Sequence, residues 1–413
     1  MSIADTRTVD LADVRQGRPP VPRLRPVDVS PERLAELKVV LAEHAEQVDR
    51  DAAFPWAGIR AVHEAGILTA TVPEKWGGHG GLAHEVVVDV FLALGEGDPA
   101  TALIAAMTVF QHSFADVWPE DLYLRLLRES AERPTLINAI RAEPELGAPA
   151  RGGLPATTVR RTGTGWVLNG RKAYGTGSEG LAYHLVWAVT EPGLHPAEGS
   201  DRLIGHVIVP SASEDGTPTP GIRIEKTWDH LGQRGTSTHD IVYDNVEVPE
   251  VNFRGSPVGS VPNNGNLTGV ALAVPALYLG VARAARAFFT RFANERVPSA
   301  LGAPIATTDR IRSVAGEIEV QLVTAEEFLR STARRLDSGE DASRQLQAAK
   351  TVVTRAAIHA VQTAVAALGN PALSRSNPLE RHLRDVLASR IHPPQDDTAL
   401  TGIGSRVLST YRS

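Results

Sequence analysis

The C-terminal part of the chain contains a histidine, His392, followed by two prolines and then by two aspartates, Asp396 and Asp397. The pKa of an imidazole is close to neutrality, so the side chain can donate or accept a proton during a reaction. A carboxylate can instead act as a base that removes a proton from carbon. A histidine before two prolines is more often a loop residue that hydrogen-bonds backbone groups, so residue type alone does not settle its role.

Hydroxyl groups recur at alternate positions in a second segment, at Tyr174, Thr176 and Ser178. Successive side chains of a strand point to opposite faces, so the three hydroxyls are predicted to share one face. The Asn-Gly-Arg-Lys sequence at residues 169–172 predicts a turn just before them. Threonine is also common in ordinary strands, which is the structural alternative for Thr176.

The chain lacks the residues that several other kinds of site require. The chain has no cysteine, and none of its 13 histidines forms a pair with metal-ligand spacing and a supporting acid, so no metal site is predicted. The glycine-rich segment 77–81 lacks the Lys-Ser/Thr ending of a phosphate-binding loop, and no Rossmann fingerprint is present. Lys and Arg number 42 against 48 Asp and Glu, without a basic block, so we expect no nucleic-acid partner.

The first 15 residues carry acids and no apolar segment, unlike a secretory signal or a transit peptide. Elsewhere no apolar run reaches the ~20 residues needed to cross a bilayer. We therefore expect a cytoplasmic protein without a membrane partner.

The predicted elements fall into three groups, which gives an α+β fold class. Residues 1–28 are rich in proline and predict a flexible arm, and apolar residues at helical spacing predict an N-terminal helical domain over 29–135. Short β-branched segments predict a central antiparallel β-barrel domain over 136–250. Long helices at about 267–295, 306–336, 342–368 and 377–390 predict a C-terminal four-helix bundle within 251–413.

Five segments, in this order, resemble characteristic segments of the acyl-CoA dehydrogenase superfamily. They are residues 72–81, 169–178, 228–249, 294–302 and 379–385. The resemblance implies an acyl-CoA dehydrogenase-like fold, with a flavin held between the β domain and the helical bundle. It also implies a homotetramer in which the subunits complete one another's flavin sites.

One departure from the family bears on the chemistry. The usual base of these dehydrogenases is a Glu shortly after an Arg-Asp pair, and counting from Arg384 and Asp385 places Pro393 at that position. Proline has no ionisable group, so it cannot remove a proton from a thioester substrate. The preceding His392 resembles the histidine of the oxygenase branch, which includes dibenzothiophene monooxygenase, the oxygenase component of 4-hydroxyphenylacetate hydroxylase and the amino-sugar nitrososynthases.

A second departure points to the same branch. Dehydrogenases carry a TEP-GSD type string before the flavin-side hairpin, whereas residues 136–147 have no GSD counterpart. In this segment Asn138 resembles the asparagine that oxygenase relatives have in the corresponding strand.

The oxygenase resemblance implies roles for four catalytic residues. In such enzymes reduced flavin and dioxygen form a C4a-hydroperoxide, which must be protected from water until it transfers oxygen. Thr176 is expected near flavin N5, and His392 is expected to hydrogen-bond the peroxy group. Asn138 would supply a neutral polar contact, and His112 is expected to approach the pocket from the helical domain.

The same resemblance implies flavin contacts from seven residues, namely Tyr174, Thr176, Gly177, Ser178, Arg296, Gly369 and Asn370. An Arg of the bundle often reaches a flavin phosphate of a neighbouring subunit, which is the role expected of Arg296. The loop at residues 368–372 differs from the GGxG string of the family, which favours FMN over FAD.

Together these features predict the oxygenase component of a two-component flavin-dependent monooxygenase. It would use reduced FMN or FAD and dioxygen to oxygenate carbon, nitrogen or sulfur in a small aromatic or heterocyclic molecule. Reduced flavin would come from a separate NAD(P)H-dependent flavin reductase. The alternatives are an acyl-CoA dehydrogenase with a displaced base, such as Asp396 or Asp397, and a non-catalytic relative that binds flavin.

Overall fold

The computed structural model describes residues 21–146, 153–192, 202–260 and 269–409. Helices come first, strands second and helices again last, so the predicted order of the three parts is confirmed. The N-terminal helices are α1 (Pro31–Asp51), α2 (Trp56–Glu64), α3 (His84–Gly97), α4 (Pro99–His112) and α5 (Glu120–Glu132). Helix α1 begins where the sequence predicts, because the Ser30 side chain accepts a hydrogen bond from the Arg33 amide and Pro31 occupies the first turn.

The predicted flexible arm, residues 1–28, lies outside the described residues up to position 20. Its described part is held against the helical domain. Leu24 is buried in an apolar cluster, and the Asp28 amide donates to the Ala65 carbonyl oxygen at 3.0 Å. Residues 21–28 are therefore part of the packed fold.

The middle part is a single eight-stranded sheet. Its strands are β1 (Leu136–Ile140), β2 (Thr158–Arg161), β3 (Gly165–Gly175), β4 (Leu181–Thr190), β5 (Leu203–Pro210), β6 (Ile222–Glu225), β7 (His239–Pro249) and β8 (Phe253–Pro257). The spatial order is β6-β7-β3-β2-β4-β5-β8, and β1 pairs with β4 beside this path.

The predicted antiparallel β-barrel is wrong in two respects. The terminal strands β6 and β8 do not pair with each other, so the sheet is open, and both β1 and β2 run parallel to β4. Strand-length patterns and turn residues reveal that strands exist, but they do not specify which edges meet. Closure would require β6 and β8 to pair as well, and the path places them at opposite ends of the sheet.

The C-terminal helices are α6 (Ala273–Glu295), α7 (Asp309–Asp337), α8 (Ser343–Leu368), α9 (Asn370–Leu373), α10 (Leu379–Leu387) and α11 (Asp396–Ser409). The four predicted long segments correspond to α6, α7, α8 and α10, so the described residues contain two more helices than the predicted bundle. A four-helix bundle is therefore too simple a description.

The helical core also crosses the predicted domain boundary. A Cβ atom on Gly95 of α3 would lie 2.1 Å from the Leu277 carbonyl oxygen of α6, and one on Gly280 would lie 2.4 Å from the Leu92 carbonyl oxygen. The two backbones approach this closely only because both positions lack a side chain. Helix α3 thereby joins the C-terminal helices in one continuous core.

Of the described helices, α8 has the length and hydropathy that crossing a membrane would require, and half of its most apolar stretch is buried inside the protein. A core helix has the same properties, so this is weak support for a membrane span.

Candidate active site

Strained backbone is concentrated where β3 ends. Among the described residues, five non-glycine residues have positive φ, and three of them are Tyr174 (57°), Gln233 (55°) and Ser237 (47°). They belong to two segments, 174–178 and 233–238, which we call the paired loops. The Gly177 amide donates to the Thr236 carbonyl oxygen at 2.8 Å, so the loops lie side by side. Strain of this kind clusters at functional sites.

The predicted common face of Tyr174, Thr176 and Ser178 is wrong, because β3 ends at Gly175. The left-handed conformations of Tyr174 and Gly177 (φ 83°) turn the chain out of the sheet. The Tyr174 side chain is 59% exposed, whereas Ser178 is buried and donates to the Ser237 carbonyl oxygen at 2.6 Å. Ser178 therefore joins the paired loops to each other and does not line a surface.

A chain of hydroxyl groups runs through the paired loops. The Asn138 side-chain amide donates to the Thr176 carbonyl oxygen at 3.0 Å, and the Thr238 hydroxyl donates to the Thr176 hydroxyl oxygen at 3.2 Å. The Thr236 hydroxyl lies 2.7 Å from that of Thr238. When Thr238 donates to Thr176, the Thr176 hydroxyl retains its own hydrogen for an external acceptor. The structure thus brings Asn138 and Thr176 together.

A buried ion pair fixes the segment after β1 against β3. The Lys172 ammonium group donates to the Glu143 carboxylate at 2.7 Å, and both side chains are fully buried. The carboxylate also accepts hydrogen bonds from the Ala156 and Thr157 amides. Removing one partner would leave an uncompensated buried charge, so the pair holds this segment in register just before Tyr174.

His392 lies in the loop after α10, half-buried, with its Nδ1 atom 2.7 Å from the Tyr278 hydroxyl of α6. Burial, and to a lesser extent the positive charge of Lys350, lowers the pKa of His392 to about 4. Burial, with the negative charge of Asp385, raises the pKa of Tyr278 well above its ordinary value. At neutral pH a neutral imidazole therefore faces a protonated phenol.

Helix α10 connects His392 to the paired loops. The Gln233 amide donates to the Asp385 carboxylate at 2.6 Å, and the neighbouring Arg384 forms a bidentate ion pair with Asp49. Burial raises the pKa of Asp385 to about 7. The polar network that begins at Asn138 thus reaches the helix that precedes His392.

Each carboxylate of the rival hypothesis has a contact elsewhere, although the Asp396 Oδ1 atom is buried without a hydrogen-bond partner among the described residues. Asp396 accepts a hydrogen bond from Arg355 at 2.9 Å, and the Asp397 carboxylate accepts one from the Thr398 amide at 2.8 Å. The Lys350 ammonium group donates to the Pro394 carbonyl oxygen at 2.9 Å, which anchors the loop between His392 and these acids. Pro393 itself is exposed.

His112 is not brought to this group. It is fully buried at the end of α4, where its Nδ1 atom lies 3.0 Å from the Tyr123 hydroxyl. Tyr123 packs with Ile137 in an aromatic and aliphatic cluster. Because adjacent strand residues point to opposite faces, the cluster lies across β1 from the side chain of Asn138. Burial lowers the pKa of His112 to about 3.

The remaining predicted flavin contacts lie at the other end of the bundle. Arg296 is exposed at the end of α6, and Gly369 and Asn370 are exposed at the end of α8. At 1.5 Å rise per residue, Arg296 lies roughly 27 Å along α6 from Tyr278. Within one chain these residues therefore lie far from His392.

The residues at the paired loops fit a flavin ring. The Gln233 side-chain amide is buried, and neither its nitrogen nor its oxygen has a hydrogen-bond partner among the described residues. A flavin edge offers both donors and acceptors to such an amide, and the exposed Tyr174 ring offers a flat apolar surface. Within the described parts of the chain, no cluster of three potential metal-ligating side chains occurs.

Sequence reasoning missed Tyr278, Gln233 and Lys350. Tyr278 had a detectable signal, because it carries the only hydroxyl in the apolar run 273–282, and a buried phenol usually has a partner. The role of Gln233 depends on a left-handed backbone that its local sequence does not specify.

Three segments of the chain match domain descriptions of one family. Residues 33–115 match "Acyl-CoA dehydrogenase, N-terminal domain", residues 139–246 match the middle domain and residues 272–395 match the C-terminal domain.

Relatives with different names share this family. The chain is 32% identical over 391 residues to "Putative acyl-CoA dehydrogenase YdbM" of Bacillus subtilis (strain 168), covering 92% of this chain and 96% of that one. It is 30% identical to "Amino sugar nitrososynthase RubN8" of Streptomyces rubradiris, covering 84% and 81%. A solved structure of KijD3 in complex with FMN and dTDP-3-amino-2,3,6-trideoxy-4-keto-3-methyl-D-glucose is similar, with a TM-score of 0.76, 25% identity and coverage of 93% and 95%.

Proposed function

The chain belongs to the acyl-CoA dehydrogenase family, and on that premise we propose that it is the oxygenase component of a two-component flavin-dependent monooxygenase. It would use reduced FMN or FAD and dioxygen to oxygenate carbon, nitrogen or sulfur in a small aromatic or heterocyclic molecule. A relative named as a nitrososynthase and a similar structure that contains FMN support this choice within the family.

One observation carries the proposal. The position expected for a dehydrogenase base holds an exposed proline, Pro393, whereas the adjacent His392 is anchored to a buried phenol. Asp396, the nearest replacement base, is paired with Arg355. The site therefore retains an imidazole suited to oxygen chemistry, and Asp396 is held by Arg355 through its Oδ2 atom.

The residues of this chain would contact the flavin and the reacting oxygen from two sides of the site. Bound in its reduced form, a flavin would supply the electrons that activate dioxygen. Thr176, with its hydroxyl hydrogen available, and Asn138 would orient one side of the site, and neither brings a charge into it. His392 would hydrogen-bond the reacting oxygen from the other side, and Tyr174 would cover the ring and exclude water.

We further propose that the site is completed by a neighbouring subunit in a homotetramer. Arg296, Gly369 and Asn370 lie too far along the bundle to reach the same flavin as His392 within one chain. The exposed Arg296 guanidinium would pair with a flavin phosphate of the neighbour. A separate NAD(P)H-dependent reductase would deliver reduced flavin, and the altered loop at residues 368–372 favours FMN.

Rapid mixing tests the proposal. The protein with reduced FMN, and separately with reduced FAD, is mixed with dioxygen and followed by absorbance. We expect a transient species that is neither reduced nor oxidised flavin. Its absence, together with bleaching of oxidised flavin by an acyl-CoA, would defeat the proposal.

An acyl-CoA dehydrogenase is the second candidate, favoured by the name of the 32% identical relative. Its base would be Asp396 or Asp397, moved towards the substrate. In that case Asp396→Asn or Asp397→Asn would abolish acyl-CoA-dependent flavin reduction. The oxygenase proposal expects neither substitution to affect the reaction with dioxygen.

A further inference from the structure

Tyr278 is a polar side chain in an apolar setting. It lies on α6 between Leu277 and Leu279, and all three side chains are completely buried. Among the described residues, the hydroxyl group of Tyr278 has one hydrogen-bond partner, the Nδ1 atom of His392 at 2.7 Å. The phenol therefore has a single place to direct its hydrogen.

This geometry determines which nitrogen of His392 carries the proton. A phenol has one hydrogen to donate, and a neutral imidazole has one donor and one acceptor nitrogen. If Nδ1 donated to the phenol oxygen, the phenol hydrogen would be buried without an acceptor, which is rare in folded proteins. If the phenol donates to Nδ1, every buried group in the contact is satisfied, and the imidazole hydrogen must be on Nε2.

We propose that Tyr278 is a positioning residue that holds His392 in the neutral Nε2–H tautomer, so that Nε2 presents a hydrogen-bond donor to the site where oxygen reacts. The donor role rests on the proposed function, whereas the tautomer depends only on residues of this chain. In the described structure Nε2 has no protein partner, so it remains available to a ligand.

Burial, reinforced by the surrounding charges, keeps both members of the pair in the required protonation state. Lys350 of α8 disfavours a second positive charge on His392, and Asp385 of α10 disfavours a negative charge on Tyr278. The negative charge of Asp396 of α11 favours the charged form of Lys350. Asp396 is itself paired with Arg355. His392 can therefore donate a hydrogen bond without bringing a full positive charge into the site.

The chain contains a matched control pair. The Tyr243 hydroxyl lies 2.7 Å from Nδ1 of His184, and both side chains are buried in the sheet. There the second nitrogen, Nε2, lies 3.0 Å from the Ser211 hydroxyl. This pair has the same phenol–Nδ1 contact, but neither of its ring nitrogens is left for a ligand.

Nitrogen NMR of protein labelled with ¹⁵N-histidine tests the inference without any flavin. The His392 signals are assigned by their loss in His392→Gln. At neutral pH we expect wild-type His392 to be in the Nε2–H tautomer, and Tyr278→Phe to shift it towards a mixture of tautomers. Tyr243→Phe should change the His184 signals and leave those of His392 unaffected. A wild-type His392 protonated on Nδ1, or one unaffected by Tyr278→Phe, would overturn the proposal.

Kinetics separates this inference from the proposed function. With reduced FMN and dioxygen, Tyr278→Phe should shorten the lifetime of the transient species by about 2- to 10-fold, the effect expected from loss of one modest hydrogen bond. Tyr243→Phe should leave that lifetime unchanged. A wild-type protein with the predicted tautomer but no transient species would defeat the monooxygenase assignment and the donor role, while the tautomer assignment would stand. An unchanged lifetime in Tyr278→Phe would overturn the donor role even if the monooxygenase assignment held.

Discussion

The pairs His392–Tyr278 and His184–Tyr243 contain the same contact, a phenol hydroxyl 2.7 Å from imidazole Nδ1, yet they serve different ends. In the sheet, Nε2 of His184 lies against the Ser211 hydroxyl, so the whole imidazole is satisfied inside the protein. In the loop after α10, His392 is half-buried and its Nε2 has no partner among the described residues. The second nitrogen, rather than the phenol contact, distinguishes a structural histidine from one available for chemistry.

His112 also has a second nitrogen, Nε2, without a hydrogen-bond partner among the described residues, but that atom is buried. The Nδ1 atom of His112 contacts Tyr123, but it is buried in an aromatic cluster on the far side of β1 from Asn138. A third phenol–imidazole pair thus packs against β1, but on the face opposite the Asn138 side chain. A second nitrogen that is free of protein partners on a half-buried ring is the criterion that His392 meets.

The largest expected effect comes from removing the imidazole of His392. Removing a general acid or hydrogen-bond donor typically slows a reaction by about 10²- to 10⁴-fold, so His392→Gln should shorten the lifetime of the transient species in dioxygen mixing by about 10²-fold or more. His184→Gln should instead leave that lifetime unchanged and lower the free energy of unfolding. Equal lifetimes in the two variants would remove the distinction between the pairs.

The next largest effect is on the free energy of unfolding. Here the pair in the sheet is expected to be more sensitive than the pair that contains His392. Tyr243→Phe leaves Nδ1 of His184 buried without a partner, which should lower the free energy of unfolding by about 1–3 kcal/mol. Tyr278→Phe should cost less, about 0.5–1.5 kcal/mol, because water can reach the half-buried His392. Urea unfolding of both variants checks this order, and a larger loss for Tyr278→Phe would contradict it.

A smaller difference is expected between two variants of the hydroxyl chain in the paired loops. Thr176→Val removes the hydroxyl that keeps a free hydrogen, and we expect roughly a tenfold shorter lifetime from the loss of one hydrogen bond to the reacting centre. The matched variant is Thr236→Val, because the Thr236 hydroxyl belongs to the same chain but lies inside it, 2.7 Å from the Thr238 hydroxyl and 2.8 Å from the Gln233 carbonyl oxygen. That variant should change the lifetime less than Thr176→Val does.

The smallest effect concerns acid sensitivity. Burial lowers the pKa of His184 to about 4 and that of His112 to about 3, from an ordinary value of 6.5. The unfolded chain therefore gains protons as the pH falls below 6.5, before the folded protein does, and the stability present above pH 6.5 is lost as the pH falls through about 4. Asp385 acts in the opposite direction, because its raised pKa of about 7 means that its contribution is lost as the pH rises through 7.

Unfolding in urea between pH 4.5 and 7 measures this balance. His184→Gln should flatten the loss of stability on acidification relative to wild type. His79→Gln is the control, because His79 is exposed. An unchanged slope in His184→Gln would show that the buried imidazole does not govern acid sensitivity.

Local chemistry in the sequence predicted much of the fold. The cap at Ser30, the apolar spacing of the long helices and the turn residues between strands each specify local geometry, and the helix, sheet, helix order follows from them. The closure of the sheet was not predictable in this way, because it depends on whether β6 and β8 meet. The sharing of α3 with the C-terminal helices depends on Gly95 and Gly280, which only pairwise contact reveals.

The site was predicted in part for a similar reason. Family resemblance indicated Asn138, Thr176 and His392, and the structure places the first two in a polar network that reaches the helix before His392. Tyr278 and Gln233 act through long-range contacts that no sequence spacing encodes. The roles of Arg296, Gly369 and Asn370 depend on the proposed neighbouring subunit, so they stay predictions.

The most direct test of the central claim is the lifetime of the transient species formed when the reduced-FMN complex meets dioxygen, compared among wild type, His392→Gln and His184→Gln. The account predicts a long-lived species in wild type and His184→Gln, and rapid conversion to oxidised flavin in His392→Gln. A species equally long-lived in His392→Gln, or one absent from wild type, would contradict it.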